Sequence, residues 1–261
     1  MKKIFLMSLV ALVAMTMTSC MHVKIGDNGW SLGGGHKNDT PTQVHQVNET
    51  IKMDPFDCLK SVGPFNVIYE IGNDHTVRVE GTPEQLEKMT IYVKDGQLTI
   101  DVSVENLREN TFDHMRIFVT SPHIKDITVT GSGTVTAPYA LNTSYLELHV
   151  TGSGDITIAD LKANAVGITV TGSGDVAIGP IMAGIVENTV TGSGDIDIAA
   201  LECSNLTNSI TGSGDINVSN LKVGYVSSKI AGSGDIKLQG TAKTHEEKVT
   251  GSGDIDISGL K

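Results

Sequence analysis

The second half of the chain alternates apolar and polar residues in units of about 20 residues. The tripeptide Gly-Ser-Gly recurs in every unit, and its first glycines are Gly131, Gly152, Gly172, Gly192, Gly212, Gly232 and Gly251. Apolar residues stand two positions before each first glycine and four and six positions after it. The positions five after it are largely polar. Such a fixed period is the signature of a repeat architecture.

Alternation on both sides of a glycine corner predicts two short strands, because successive side chains of a strand point to opposite faces. A further apolar position nine residues after the first glycine marks a third inward-facing segment, as at Leu161, Ile181 and Leu201. The sequence therefore predicts an all-β fold, a single-stranded parallel β-helix (solenoid) of about 20-residue coils stacked about 4.8 Å apart. Its regular part is residues 131–261.

One inward position changes character along the array. Four residues before the first glycine, Leu148 and Ile168 are followed by Asn188, Asn208 and Ser228 in later coils. Two arrangements are open: an inward polar ladder in which each amide bonds to the next coil, or a corner that opens to solvent.

Residues 44–130 lack the repeat but are rich in β-branched residues in alternation, which predicts strands. The predicted strands are 65–71, 76–80, 89–93, 98–104 and 115–120. One short helix is predicted, with Thr82 as N-cap, Pro83 at its first position and Gln85 closing a capping box. This region is expected to form an irregular, β-rich N-terminal cap on the array, since terminal repeats of solenoids are atypical.

The N-terminus carries export signals. Residues 1–19 combine a basic start with a short apolar run, as a signal peptide does, and 17–20 resemble a bacterial lipobox ending at Cys20. The resemblance implies cleavage before Cys20 and its lipidation; ordinary signal cleavage is the alternative. Residues 20–43 are glycine-rich and predict a flexible tether. We expect an exported outer-membrane lipoprotein, on the periplasmic side or the cell surface.

Composition narrows the classes of function. The net charge of −11 disfavours nucleic acid as a partner. The histidines are scattered without metal-ligand spacing, so no transition-metal cofactor is expected. Apart from Cys20, the cysteines are Cys58, which precedes the repeats, and Cys203, within them. We predict two separate buried thiols.

The sharpest chemical feature is a column of carboxylates directly after six of the tripeptides: Asp155, Asp175, Asp195, Asp215, Asp235 and Asp254. One interpretation is that each carboxylate caps its own turn by accepting backbone N–H bonds. The other is a ladder of Ca²⁺ sites, because acidic oxygen-rich rows suit hard cations.

The repeated VTGSGDI units, preceded by 62–67 (VGPFNV) and 94–100 (KDGQLTI), resemble the GIN-domain family, the head domain of auto-transporter adhesins of Bacteroidetes type. The resemblance covers residues 47–261. It implies a right-handed β-helix, a cell-envelope location and an adhesin function, and it supplies no catalytic residues.

The expected function is that of a non-enzymatic adhesin or surface-interaction module, presenting a repetitive polar face to glycans or envelope proteins. One alternative is a β-helix polysaccharide-processing enzyme, whose candidate acid pairs are Asp195 with Asp197 and Asp254 with Asp256. Another is a structural envelope scaffold that self-associates through an open C-terminal rung, where unpaired backbone groups favour a homo-oligomer.

Overall fold

A computed structural model describes residues 47–102 and 112–261. Within these ranges the chain forms 18 strands in one wound sheet, and one short helix. Eight strands lie up to the first glycine of the first tripeptide: β1 Val47–Lys52, β2 Cys58–Val62, β3 Asn66–Ile71, β4 Thr76–Gly81, β5 Met89–Lys94, β6 Gln97–Val102, β7 Arg116–Ser121 and β8 Asp126–Gly131. The strands after it are β9 Thr134–Asn142, β10 Tyr145–Gly152, β11 Asp155–Lys162, β12 Ala165–Gly172, β13 Val176–Met182, β14 Ile185–Gly192, β15 Ile196–Gly212, β16 Ile216–Gly232, β17 Ile236–Gly251 and β18 Ile255–Leu260.

The strands stack in parallel, with equivalent repeat positions side by side. Before the corners, β8, β10, β12 and β14 pair in sequence and continue into the second halves of β15, β16 and β17. After the corners, β9, β11 and β13 continue into the first halves of the same three strands and end at β18. The register places Val150 beside Val170 and Val170 beside Val190. The predicted β-solenoid is confirmed.

The apolar columns form one continuous core. Residues two positions before each first glycine are at most 1% exposed from Val129 to Ile230, and residues four positions after it are buried in every coil. The last coil departs from this pattern. Val249 was predicted to face the core but is 42% exposed, because among the described strands it pairs with the preceding coil alone.

The inward polar ladder is present. Asn188, Asn208 and Ser228 are buried, at 1%, 1% and 2% exposure. The Asn188 amide donates to the side-chain oxygen of Asn208 over 2.9 Å, and the Asn208 amide donates to the Ser228 hydroxyl over 3.2 Å. Each amide therefore bonds to the next coil, and the alternative of a solvent-open corner is wrong.

Parallel coil stacking begins before the first tripeptide. In this region the strands that lie side by side are not consecutive in the sequence. Strand β2 lies between β6 and β8, and β3 lies between β7 and β9, all in parallel. Gly63 forms the corner between β2 and β3 with φ +124°, like the first glycines of the array. Part of the predicted cap is therefore regular solenoid.

The N-terminal pole is closed by antiparallel strands. Strand β5 pairs with β6, whereas β4 lies between β7 and β1. The predicted helix is confirmed as α1, Pro83–Glu87, with Thr82 as N-cap and both hydrogen bonds of the capping box to Gln85. It places Leu86 in the core.

The two cysteines of the described region are unpaired. Cys203 is buried, as predicted, whereas Cys58 is only half-buried. The signal peptide, Cys20 and the tether lie outside the described residues. Among the residues that are described, no helix is long and apolar enough to cross a membrane.

Candidate functional site

The glycine corners bring consecutive coils unusually close. Gly192 has φ +126°, and a Cβ placed there would lie 2.3 Å from the carbonyl oxygen of Gly172. A Cβ on Gly194 would lie 2.1 Å from the carbonyl oxygen of Gly174. Neither distance is compatible with a side chain, so close stacking of the main chain requires glycine on both sides of the serine.

Backbone hydrogen bonds lock each corner onto the one before it. The Gly172 carbonyl accepts the N–H groups of Ser193, over 2.8 Å, and of Gly194, over 3.1 Å. The same pair of bonds links Gly192 to the following coil. Because the main chain is satisfied by its neighbouring coils, the side chains at the corner are left to face solvent.

These side chains form a polar surface that we call the corner ridge. It consists of three parallel columns, with one member of each column per coil. The threonine column comprises Thr130, Thr151, Thr171, Thr191, Thr211 and Thr250, with Ala231 in one coil; the serine column comprises Ser132, Ser153, Ser173, Ser193, Ser213, Ser233 and Ser252; the third is the aspartate column. Within the described ranges, the ridge hydroxyls make no hydrogen bond to the chain, and most of these side chains are exposed. They are free to bind another molecule.

The aspartate carboxylates bond from coil to coil. Asp155 accepts the backbone N–H of Asp175 over 3.1 Å, and Asp175 accepts that of Asp195 over 2.9 Å. The bonds that continue the ladder to Asp215, Asp235 and Asp254 are each 2.8 Å long. A carboxylate bonded to main-chain N–H was expected, but within its own turn. The donor instead lies one coil further on, because parallel stacking places that N–H directly beside the side chain.

Burial and the neighbouring carboxylates change the ionisation of Asp195. Burial raises the pKa of Asp195, and the charges of Asp175, Asp215 and Asp197 raise it further, while the N–H of Asp215 opposes the shift. The ladder therefore uses one oxygen of each bonded carboxylate to hold the coils together, and it places like charges in a row.

The geometry bears on the cation interpretation. The described part of the chain contains no group of three or more His, Cys, Asp or Glu side chains arranged to hold a metal ion. In five of the six aspartates, one carboxylate oxygen already accepts an N–H group. The column therefore has a structural role, because its carboxylates join consecutive coils.

The candidate acid pairs make local bonds that differ between the two coils. Asp197 accepts from the Asn217 amide over 3.1 Å. Asp256 accepts the backbone N–H of Ser258 over 2.9 Å and its hydroxyl over 2.6 Å, which lowers the pKa of Asp256. A general acid needs a raised pKa, so this environment does not suit Asp256 for that role.

A groove at the third corner of the coils was not foreseen from the sequence. It has a volume of about 730 Å³ and its lining includes Met182, Cys203, Lys222 and Val223. The signal was present as a column of small apolar residues eleven positions after the first glycine, at Ala183, Cys203 and Val223. Burial raises the pKa of Cys203 to about 11, so its thiol is protonated at neutral pH and unsuited to act as a nucleophile.

Solved structures share this architecture. A "putative adhesin" from Bacteroides fragilis NCTC 9343 is 23% identical, with a TM-score of 0.73 over 81% of this chain and 96% of that one. A "putative lipid binding protein" from Parabacteroides distasonis ATCC 8503 is 18% identical, with a TM-score of 0.67 over 82% and 96%. A "putative adhesin" from Parabacteroides merdae ATCC 43184 is also 18% identical, with a TM-score of 0.66 over 81% and 96%. At these identities the likeness establishes the fold.

No curated protein matches the chain in sequence. One family model does, over residues 55–222 and 209–261, which together include the stacked strands before the repeats and all seven tripeptide coils. The chain therefore belongs to the family described as "Putative auto-transporter adhesin, head GIN domain".

Proposed function

We propose that this protein is a non-enzymatic adhesin of the cell envelope that binds its partners through the corner ridge. The observation that carries the proposal is the uniformity of the ridge: the same hydroxyl and carboxylate columns run through successive coils with free, exposed Thr and Ser side chains. An active site needs one coil that differs from the others, with a positioned acid and base. A repeated surface suits many equal contacts.

Equal contacts at regular spacing favour weak, multivalent binding. Once one coil is bound, the next coil meets its own ligand at a high effective concentration, so total affinity rises without any strong single contact. Small hydroxyls and carboxylates are suited to hydrogen-bond with glycan hydroxyls or with polar protein surfaces. Aromatic residues make up only 4% of the chain, so the stacking platforms that give strong sugar binding are scarce.

The proposal includes anchoring at the N-terminus. Acylated Cys20 would hold the protein to the outer membrane, because buried methylenes each contribute about 0.8 kcal/mol. The tether of residues 20–43 would then hold the solenoid away from the bilayer. Protease treatment of intact cells distinguishes the two sides: degradation indicates the surface, and protection indicates the periplasm.

Glycan arrays and pull-downs from envelope extracts test the ridge. The wild-type protein should retain specific glycans or envelope proteins, and EDTA should leave that binding unchanged. Replacing Thr191 and Ser193 by Arg should weaken it by steric and charge mismatch. Asn205→Arg, an exposed substitution away from the ridge, is the matched control and should bind normally. Empty results from both arrays and pull-downs would contradict the adhesin function.

A further inference from the structure

The C-terminal pole of the solenoid has a strand edge with nothing beside it among the described residues. Strand β17 pairs with β16 along one edge as far as Gly251. On its other edge, β18 pairs only with the region Ile236–Gly240, and the carbonyl of Lys261 accepts the N–H of Ala242 over 3.3 Å. From Lys243 to Thr250 the outer N–H and C=O groups therefore have no partner among residues 47–102 and 112–261. Such an edge is a template for another strand.

The core-facing side of residues 243–250 is more polar than the same side of the preceding coil. His245, Glu247 and Val249 stack on Val226, Ser228 and Ile230 of the preceding coil. His245 Nε2 lies 3.5 Å from Glu247 Oε1, and Val249 is 42% exposed. A further apolar coil would have to bury the Glu247 carboxylate and the His245 imidazole, which is unfavourable. The edge instead fits a strand whose inward side is itself mixed in polarity.

Charge along the solenoid favours contact at this pole. Residues 126–216 contain one lysine, Lys162, and ten acidic residues: Asp126, Glu147, Asp155, Asp160, Asp175, Glu187, Asp195, Asp197, Glu202 and Asp215. Residues 217–261 contain the lysines Lys222, Lys229, Lys237, Lys243, Lys248 and Lys261 and the acidic residues Asp235, Glu246, Glu247, Asp254 and Asp256. Two copies approaching side by side repel each other, whereas two C-terminal poles are nearly neutral and can approach.

We propose that a second copy of the chain pairs with this edge in antiparallel orientation, forming a symmetric dimer through its C-terminal pole. With the two-fold axis at Glu247, Lys248 of each copy lies opposite Glu246 of the other. Directly opposite residues share a face in an antiparallel pair, so the contact contains two such charge pairs. His245 then faces Val249 of the second copy, and the two Glu247 side chains meet on the axis, each 3.5 Å from the imidazole of its own His245.

A charge swap tests this pairing. The measurement is the dimer dissociation constant by analytical ultracentrifugation of the purified protein carrying Cys20→Ser, which removes the proposed acylation site. Lys248→Glu should raise the constant about tenfold, because it places like charges opposite each other. Glu246→Lys combined with Lys248→Glu should restore it. Since Glu246 also accepts a hydrogen bond from Tyr225, thermal melts of each variant control for folding.

A disulfide tests the register independently. A residue on a two-fold axis faces its own copy at a distance that a disulfide can bridge. Glu247→Cys should therefore give a covalent dimer under mild oxidation. Val249→Cys is the matched control on the same face of the same strand, and it should not, because its copies lie on opposite sides of the axis. A protein that is monomeric at all concentrations, equal cross-linking of both variants, or a charge-swapped double variant no tighter than Lys248→Glu would overturn the proposal.

Discussion

At the scale of single residues, the tripeptide corner combines a conformational demand with a packing demand. The first glycine is needed for its positive φ as well as for close approach, and the second for close approach alone. Gly194 shows the second demand by itself, since its φ is ordinary and the obstacle to a side chain is the carbonyl oxygen of Gly174. The serine between the glycines has no such restriction, and it carries the ridge.

Replacing Gly194 by alanine should therefore destabilise the protein. The new Cβ would force the main chains of two coils apart, and we expect the free energy of unfolding in urea to fall by about 1–3 kcal/mol. Gly167→Ala is the matched control, because the atoms nearest to a Cβ there belong to the end of the Glu147 side chain, which can rotate away, and not to the main chain. It should be neutral within about 0.5 kcal/mol. Equal losses in the two variants would contradict the packing argument.

The aspartate ladder predicts opposite effects for two substitutions at one position. Asp195→Ala removes the acceptor for the N–H of Asp215 and should lower stability by about 1 kcal/mol. Asp195→Asn keeps an acceptor oxygen but removes a charge in a row of like charges. It should be at least as stable as the wild type at pH 7, as measured by urea denaturation.

The difference in stability between Asp195→Asn and the wild type should depend on pH in a definite direction. Because the pKa of Asp195 is raised in the folded protein, the folded state binds this proton more tightly than the unfolded chain. The ionised wild type is therefore penalised above its folded-state pKa, and the penalty disappears below the unfolded value of 3.8. Any advantage of Asp195→Asn at pH 7 should shrink as the pH falls through this window. An advantage that grows with falling pH would contradict the assignment.

At the scale of elements, the inward ladder of Asn188, Asn208 and Ser228 joins three coils through buried hydrogen bonds. Asn208→Ile would leave the Asn188 amide and the Ser228 hydroxyl without their partner and should cost about 1–3 kcal/mol per unsatisfied group. The triple variant Asn188→Ile, Asn208→Ile and Ser228→Val removes the whole network and should recover most of that loss. Urea denaturation of both variants makes the comparison; a triple variant that is no more stable than Asn208→Ile would contradict it.

The sequence predicted these elements to different extents. Strands, helix α1 and the core columns of residues 131–261 follow from local alternation and capping, which neighbouring residues determine. The stacking of β2 between β6 and β8 does not, because Gly63 is followed by Pro64 and Phe65 in place of the repeated motif. The donor to each ladder carboxylate was likewise missed, since it belongs to the next coil and no spacing within one coil specifies it.

At the scale of the whole molecule, the solenoid has two dissimilar poles, and the coils of residues 126–216 between them are strongly acidic. Antiparallel strands close the N-terminal pole, whereas at the C-terminal pole the outer edge of residues 243–250 pairs with no other described strand. The corner ridge runs between them along the stack of coils. The proposed adhesive surface and the proposed site of self-association therefore lie on different parts of the solenoid, so substitutions can test them separately.

The central claim is that every coil of the ridge contributes similarly to binding, and a coil-by-coil scan tests it most directly. Arg replaces the ridge serine in one coil, then in two and then in four, at Ser153, Ser173, Ser193 and Ser213. Binding of each variant to a retained glycan or envelope protein is measured by surface plasmon resonance. We expect a graded loss that depends on how many coils are changed, with similar effects for each single coil. Loss confined to one coil would indicate a single site and contradict the account, as would binding unaffected by all four substitutions.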